Sequence, residues 1–149
     1  MKKFLTIIVA ALMTCSLSFA QNNKADNILG KYSSTQNGDS YKVEVTKNPN
    51  GTYKAQIYWV SNPLDKNGKK KLDTKNPDKS LRNNTTDSVV LIDGLKYDSA
   101  KQQWGDAKIY DPQRGIKVGC TAKFDNAKVL KVSGKVLGIG ETITWTRVE

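Results

Sequence analysis

The stretch ETITWTRVE, residues Glu141–Glu149, places a tryptophan and an arginine on one face of a predicted strand. Ile143 and Trp145 alternate with threonines, and a period of two is typical of a half-buried β-strand. Trp145 is therefore expected to point into a core. Arg147, two residues further on, is expected to lie across an aromatic ring there, because a planar guanidinium stacks on rings and still donates hydrogen bonds.

The same alternation extends backward through the chain and predicts a β-hairpin. Asn48–Gly51 has strong turn chemistry, with Asn, Pro and Gly between two alternating segments. The faces predicted to be shared are Tyr41, Val43 and Val45 in the first strand, and Tyr53, Ala55, Ile57 and Trp59 in the second.

Further segments bring the expected number of strands to about eight. The predicted segments are an opening strand near Gly30, then Val89–Leu95 with an interruption at Asp93-Gly94, Gln103–Tyr110, Ile116–Phe124, a strand around Leu130 and Val132, and the strand of Trp145. The predicted turns are Tyr97–Lys101, Asp111–Gly115, Asp125–Ala127 and Gly138–Gly140. Neighbouring hairpins favour an all-β, antiparallel, up-and-down barrel, in which the last strand pairs with the first and no edge stays open. A two-sheet sandwich is the alternative.

Residues 61–86 interrupt the pattern and are predicted to form a long, lysine-rich surface loop. Its lysines could meet an anionic envelope component such as lipid phosphate or acidic polysaccharide, or could simply keep the loop solvated. Asp73, Asn76 and Asp78 carry oxygen ligands of the kind that calcium prefers. Their spacing fits no EF-hand and lysines surround them, so an Asx-type turn is favoured and no metal is expected.

Residues 1–20 have the features of a secretory signal peptide. Lys2 and Lys3 precede an apolar run, and Ser18–Ala20 offers small residues for cleavage after Ala20. The apolar run is short for a membrane span, so the protein is not expected to span a membrane. Leu12–Cys15 resembles a lipoprotein box, with Cys15 as the lipidated residue, and this is the less favoured reading. The sequence therefore predicts a single exported domain over residues 21–149, in the periplasm or outside the cell.

Composition restricts the chemistry. The chain has no histidine, which excludes a Ser–His triad, a Cys–His nucleophile and zinc sites that need His. Cleavage after Ala20 would leave Cys120 as the only cysteine and would lower the net charge from +10 to +8 by removing two lysines. Cys120 alternates with apolar neighbours and is predicted to be buried and inert. Export makes nucleic acid an unsuitable partner, and no cofactor is expected.

Two family resemblances follow from the order of short motifs. Gly30-Lys31-Tyr32 near the start and Arg147 near the end resemble the lipocalin and calycin barrels, with tyrosine in place of their tryptophan. A second, longer series comprises Gln56–Trp59, Asp73-x-x-Asn76-Pro77-Asp78, Gly94-Leu95, Trp104-Gly105, Ile109–Pro112 with Gly115, and Trp145–Arg147. In this order, it resembles the bacterial exported family called domain of unknown function 2147. The resemblance implies a small lipocalin-like barrel in which Tyr32, Trp145 and Arg147 close one end.

Four residues are the candidate ligand contacts: Trp59, Trp104, Tyr110 and Asp111. The alternative interpretation places both tryptophans in the core and gives Asp111 the role of capping a turn. Three functional hypotheses remain open. The barrel could bind an apolar or amphipathic small ligand, or it could be filled and act through its surface and the lysine-rich loop. Paired carboxylates could also support hydrolysis without histidine, although no spacing in the sequence favours an enzyme.

Overall fold

The computed structural model describes residues 24–148, and the predicted signal peptide and Cys15 lie outside this range. Within it are eight strands and three short 3-10 helices. The strands are β1 (Gly30–Gln36), β2 (Asp39–Lys47), β3 (Tyr53–Val60), β4 (Val90–Asp98), β5 (Gln103–Asp111), β6 (Ile116–Asn126), β7 (Val129–Val136) and β8 (Ile139–Arg147). The 3-10 helices are Lys24–Ile28, Lys79–Leu81 and Thr86–Ser88.

The strands form a closed antiparallel barrel in the order β1 to β8, which confirms the predicted up-and-down architecture. Each strand pairs with its neighbours in sequence, and β8 returns to β1. This last seam is short, with Tyr32 opposite Arg147 and Ser33 opposite Thr146. The other seams are longer, and eight residue pairs join β7 to β8.

The predicted interruption at Asp93-Gly94 is wrong, and the turns predicted at Tyr97–Lys101 and Gly138–Gly140 are shifted by one or two residues. β4 runs without interruption through Asp93 and Gly94 to Asp98, because Gly94, at φ 86°, is skipped by the pairing of β3 with β4. The extra residue makes a bulge, which glycine accommodates at positive φ. The turn predicted at Gly138–Gly140 is the two-residue turn Leu137-Gly138, and β8 already begins at Ile139.

The predicted alternation correctly identifies most of the interior, with Trp59 as the exception. Val43, Val45, Tyr53 and Ala55 are buried, whereas Trp59 is 43% exposed on the outer face. The register explains this difference, since Lys42 pairs with Trp59 and Val43 pairs with Ile57. Tyr58 is therefore an extra residue in β3, and a one-residue bulge moves every following side chain to the other face.

The two ends of the barrel differ. One end carries the β2–β3, β4–β5 and β6–β7 turns and the 3-10 helix Lys24–Ile28, and we call it the closed end. Here Tyr32 is fully buried and its hydroxyl donates a hydrogen bond to the Ile28 carbonyl at 2.7 Å. Burial raises the pKa of Tyr32 to about 12, although the nearby Arg147 opposes the shift. The opposite end, which carries the other four connections, is the mouth.

Arg147 joins the first and last parts of the barrel at the closed end. Its guanidinium lies 5.1 Å from the ring centre of Tyr32 and 5.0 Å from that of Phe124. The same group donates hydrogen bonds to the carbonyls of Leu29, Asn27 and Ala127. The Tyr32 ring in turn packs 6.2 Å from that of Trp145, which is fully buried.

The long connection between β3 and β4 is ordered by a buried polar cluster at the mouth. It covers residues 61–89, slightly more than the predicted loop, and contains two of the 3-10 helices. Asp73 and Asn76 are only 3% and 4% exposed. The Asp73 carboxyl accepts hydrogen bonds from the Tyr110 hydroxyl at 2.6 Å and from the Asn76 amide at 2.7 Å. These contacts fasten the loop to the end of β5.

The side chains of Asn76 and Asp78 also have protein partners. The Asn76 side chain accepts a hydrogen bond from the backbone N–H of Asp78 at 2.9 Å, which is an Asx turn. Asp78 caps the helix Lys79–Leu81 by accepting from Ser80, and this hydrogen bonding lowers the pKa of its carboxyl. Arg82 donates to the Asn76 carbonyl at 2.7 Å. The motif is thus a structural anchor for the loop.

We expect Arg147→Ala to lower the free energy of unfolding by about 3 kcal/mol, because it removes charge-assisted hydrogen bonds and ring stacking at the seam. Urea unfolding followed by tryptophan fluorescence measures this loss. Lys96→Ala is the control, since Lys96 makes an exposed ion pair with Asp106 at 3.0 Å and such pairs contribute little. Equal losses in the two variants would show that Arg147 does not hold the seam.

We expect Tyr110→Phe to loosen the 61–89 connection without opening the barrel. The change leaves one oxygen of the buried Asp73 carboxyl without its donor, which costs about 1–3 kcal/mol. Hydrogen exchange should accelerate at the backbone amides of Asp73 and Asn76, which close hydrogen bonds within the loop. Tyr58→Phe, on the exposed surface, should leave these amides unchanged. If the two variants exchange alike, Tyr110 does not anchor the loop.

Candidate functional site: a cavity at the mouth of the barrel

The mouth half of the barrel encloses a cavity of about 740 Å³. Pockets that bind small organic ligands commonly measure roughly 300–1,000 Å³. The cavity therefore has room for one small molecule, as expected of an eight-stranded barrel whose interior is not completely filled by its own side chains.

Branched aliphatic side chains form most of the inner wall. They come from β3 to β8 and alternate with outward-facing polar residues. The wall comprises Ile57, Val60, Leu91, Ile109, Ile116, Val118, Val132, Val136 and Ile143. At the inward position between Val132 and Val136 stands Gly134, which adds no side-chain volume. Its backbone lies close to β6, where an added Cβ would come within 2.9 Å of the Gly119 carbonyl oxygen.

Tyr41 brings a polar atom to this apolar wall. Its hydroxyl accepts a hydrogen bond from the indole N–H of Trp145 at 2.9 Å. Burial raises the pKa of Tyr41, the hydrogen bond from Trp145 opposes the shift, and the nearby Asp111 adds to it. Tyr41 is therefore a neutral hydroxyl at neutral pH, held in place by the buried indole.

Charged side chains from two hairpins meet at the rim. Arg114 donates to the Asp111 carboxyl at 2.5 Å and makes a two-fold contact with Glu141, at 3.0 Å and 2.7 Å. The hydrogen bonds from Arg114 lower the pKa of Glu141. The same two carboxylates raise the pKa of Arg114. Arg114 and Glu141 are therefore both charged at neutral pH. This network ties the β5–β6 turn to β8.

The local sequence explains the position of Asp111. Its side chain accepts hydrogen bonds from the backbone N–H groups of Gln113 at 2.9 Å and Arg114 at 3.1 Å. Its carbonyl accepts from Gly115 at 2.8 Å. The carboxyl therefore caps the turn, which was the alternative role predicted for Asp111. Asp111 also lines the cavity.

The four predicted ligand contacts divide into two pairs. Tyr110 and Asp111 line the cavity at the mouth. Trp59 lies outside the barrel with the Lys42 ammonium 5.1 Å above its ring, because of the bulge at Tyr58. Trp104 lies at the closed end, where its indole donates to the Ala25 carbonyl at 3.0 Å. Neither tryptophan lines the cavity, so the structure separates them from Tyr110 and Asp111.

Sequence reasoning missed Arg114, Glu141 and Lys71, which also line the cavity. The spacing of Asp111 and Arg114 across a turn is a detectable signal for their contact. The contact of Arg114 with Glu141 joins different hairpins and depends on the register of β8, which no local pattern reveals.

Cys120 is buried, as predicted, and burial raises the pKa of its thiol to about 11. A thiol with that pKa is inert at neutral pH.

None of the helices in residues 24–148 could span a lipid bilayer. Comparison with curated proteins gives no match for this chain. Among solved structures, the chain is similar to protein HP1028 from the human pathogen Helicobacter pylori, which is described as belonging to the lipocalin family. The two are 26% identical, the TM-score is 0.64, and the match covers 82% of this chain and 83% of the other.

The family model described as an uncharacterized protein conserved in bacteria, DUF2147, matches residues 30–147. This range begins at the glycine of β1 and ends at the arginine of β8, so it includes the whole barrel. The chain therefore belongs to the bacterial DUF2147 family, and its fold is a lipocalin-like barrel.

Proposed function

We propose that this protein is a carrier that binds one apolar or amphipathic small molecule in the cavity at the mouth of its barrel. The observation that carries the proposal is a cavity of about 740 Å³ with an aliphatic wall and a polar rim. The lipocalin-like fold, shared with the Helicobacter protein, supports it. The export predicted from residues 1–20 would place such a carrier in the periplasm or outside the cell.

The distribution of large side chains supports binding over a filled barrel. Tyr32, Tyr53, Trp104 and Trp145 are buried toward the closed end and do not line the cavity. The mouth half has smaller aliphatic side chains instead. A filled barrel would have no cavity of this size, whereas an apolar wall around open space favours an apolar ligand through the hydrophobic effect.

The rim charges suggest which polar end the ligand carries. Asp39, Asp111 and Glu141 contribute three negative charges, and Lys71 and Arg114 contribute two positive ones. Arg114 is already engaged by two carboxylates. We therefore propose that the polar end of the ligand is uncharged or cationic, with the Tyr41 hydroxyl available deeper in the cavity.

A carboxylate-dependent hydrolase is the weaker candidate. Such an enzyme needs a carboxyl whose pKa is raised so that it can act as an acid. Asp111 and Glu141 do face the same cavity, but Arg114 lies between them and lowers the pKa of Glu141. The rim pair is therefore suited to an ionic contact and not to proton donation.

The test is native mass spectrometry of the protein isolated from its own cells, followed by extraction of bound molecules. We expect wild type to carry a small amphiphile, and Val118→Phe, which fills the cavity from β6, to carry none. Val118→Phe should also bind an uncharged naphthylamine fluorophore at least about tenfold more weakly, since the added ring occupies the apolar space.

The matched control is Val90→Phe, which makes the same change at an exposed position on β4 and should behave as wild type. Circular dichroism checks that both variants fold. A wild-type protein without ligand and without affinity for the fluorophore would contradict the proposal. So would a folded Val118→Phe variant that retains full affinity.

A further inference from the structure

The β7–β8 hairpin ends at the mouth in an exposed apolar tip, formed by Leu137 and Ile139. Leu137 is 97% exposed and Ile139 is 69% exposed. Leu137 has φ 50° and Gly138 has φ 80°, so both central residues of the two-residue turn are left-handed. Glycine adopts such a conformation without strain, but leucine does so only against the clash of its Cβ with the backbone.

The β1–β2 hairpin, at the same end of the barrel, has the residue pair that is usual for this turn. Its turn is Asn37-Gly38, with φ 50° and 85°, nearly the same backbone as Leu137-Gly138. Asn-Gly is the preferred pair for this turn, because asparagine tolerates the left-handed region. Leu137 is therefore unfavourable both for the turn and for its exposure to water. Local folding does not account for a leucine at this position.

Other exposed apolar side chains share this end of the molecule. Between residues 24 and 148 the exposed large apolar residues are Tyr58, Trp59, Leu64, Leu72, Leu81, Val90, Leu137 and Ile139. Six of them lie in connections at the mouth or directly beside one, and the other two, Tyr58 and Trp59, lie in the mouth-side half of β3. The turns of the closed end contribute none.

The mouth end also carries the lysine-rich connection. Residues 61–89 contain six lysines and one arginine against four aspartates. One of the lysines, Lys70, is paired with Asp87 at 2.7 Å. Exposed apolar side chains and the net positive charge of the 61–89 connection therefore occur at the same end of the barrel.

From this combination we propose that the mouth docks on an anionic lipid bilayer. Leu137 and Ile139 enter the interface between headgroups, and the lysines of the 61–89 connection contact lipid phosphates. Weak apolar insertion combined with basic charge is a recognised way to give reversible membrane binding when neither suffices alone. Trp59 and Tyr58, exposed beside lysines, suit the same interface.

A bilayer fits this surface better than a protein partner does. Protein interfaces are built on contiguous packed patches, whereas Leu137 and Ile139 project from the tip of a single narrow hairpin. A soft interface can accept such a tip without a matching pocket. The inference goes beyond ligand binding in the cavity and does not depend on it, because Leu137 does not line the cavity.

Flotation with lipid vesicles tests the inference. We expect wild type to bind vesicles of phosphatidylcholine containing phosphatidylglycerol, to bind pure phosphatidylcholine far more weakly, and to be released at high salt. Leu137→Asn should weaken binding by about tenfold, since it removes the apolar side chain from the interface. It restores the preferred turn, so its thermal unfolding temperature should be equal to that of wild type or higher.

The charge requirement is tested by a pair of triple variants with the same change in net charge. The mouth variant is K66Q/K69Q/K79Q, and the closed-end control is K24Q/K101Q/K123Q. We expect only the mouth variant to lose vesicle binding.

Absence of wild-type binding to anionic vesicles would overturn the inference and leave a protein or a second copy of the chain as the occupant. Unchanged binding by Leu137→Asn would overturn it too, as would equal losses in the two triple variants. Leu137→Asn should bind the naphthylamine fluorophore as wild type does, so failure of membrane docking is distinguishable from failure of the proposed ligand binding.

Discussion

The Arg147 guanidinium connects parts of the chain that are far apart in sequence. It stacks between Tyr32 and Phe124 and hydrogen-bonds to carbonyls of the segment before β1 and of the β6–β7 turn. The seam that it supports has only two residue pairs, so backbone pairing alone leaves it the weakest in the barrel. The planar guanidinium stacks on two rings and donates hydrogen bonds in several directions, and these contacts compensate for the few backbone pairs of the seam.

The interior volume of an eight-stranded barrel is small, so the placement of the large side chains decides whether a cavity remains inside it. Here tyrosines and tryptophans gather toward the closed end, and Val, Ile, Leu and Gly134 face the mouth. The aromatic end provides rigidity and the aliphatic end provides space. The buried Tyr110–Asp73–Asn76 cluster then holds the long connection beside the opening. The closed-end half of the core therefore provides the packing that stabilises the barrel, and the mouth half contains the cavity.

Much of this architecture could be predicted from alternation and turns. The strand number, the antiparallel order and the direction of Val43, Val45 and Trp145 follow from a period of two, because inward and outward positions alternate. The position of Trp59 could not be predicted, since one extra residue at Tyr58 shifts the register and only the pairing with β2 reveals it. The rim network is hidden for a similar reason. Arg114 and Glu141 come together through the register of two hairpins, and nothing in their local sequence indicates the contact.

The seam between β1 and β8 also has a consequence for the order of folding. Tyr32 and Arg147 are separated by nearly all of the described chain, so their pairing cannot form until the last strand has been synthesised. The seven other seams join strands that are neighbours in sequence, and all but the β3–β4 seam can form as hairpins with short turns. Until β8 arrives, β1 remains an open edge, which is a site where unfinished chains can pair with one another. The barrel is therefore open to pairing between chains until β8 takes its place beside β1.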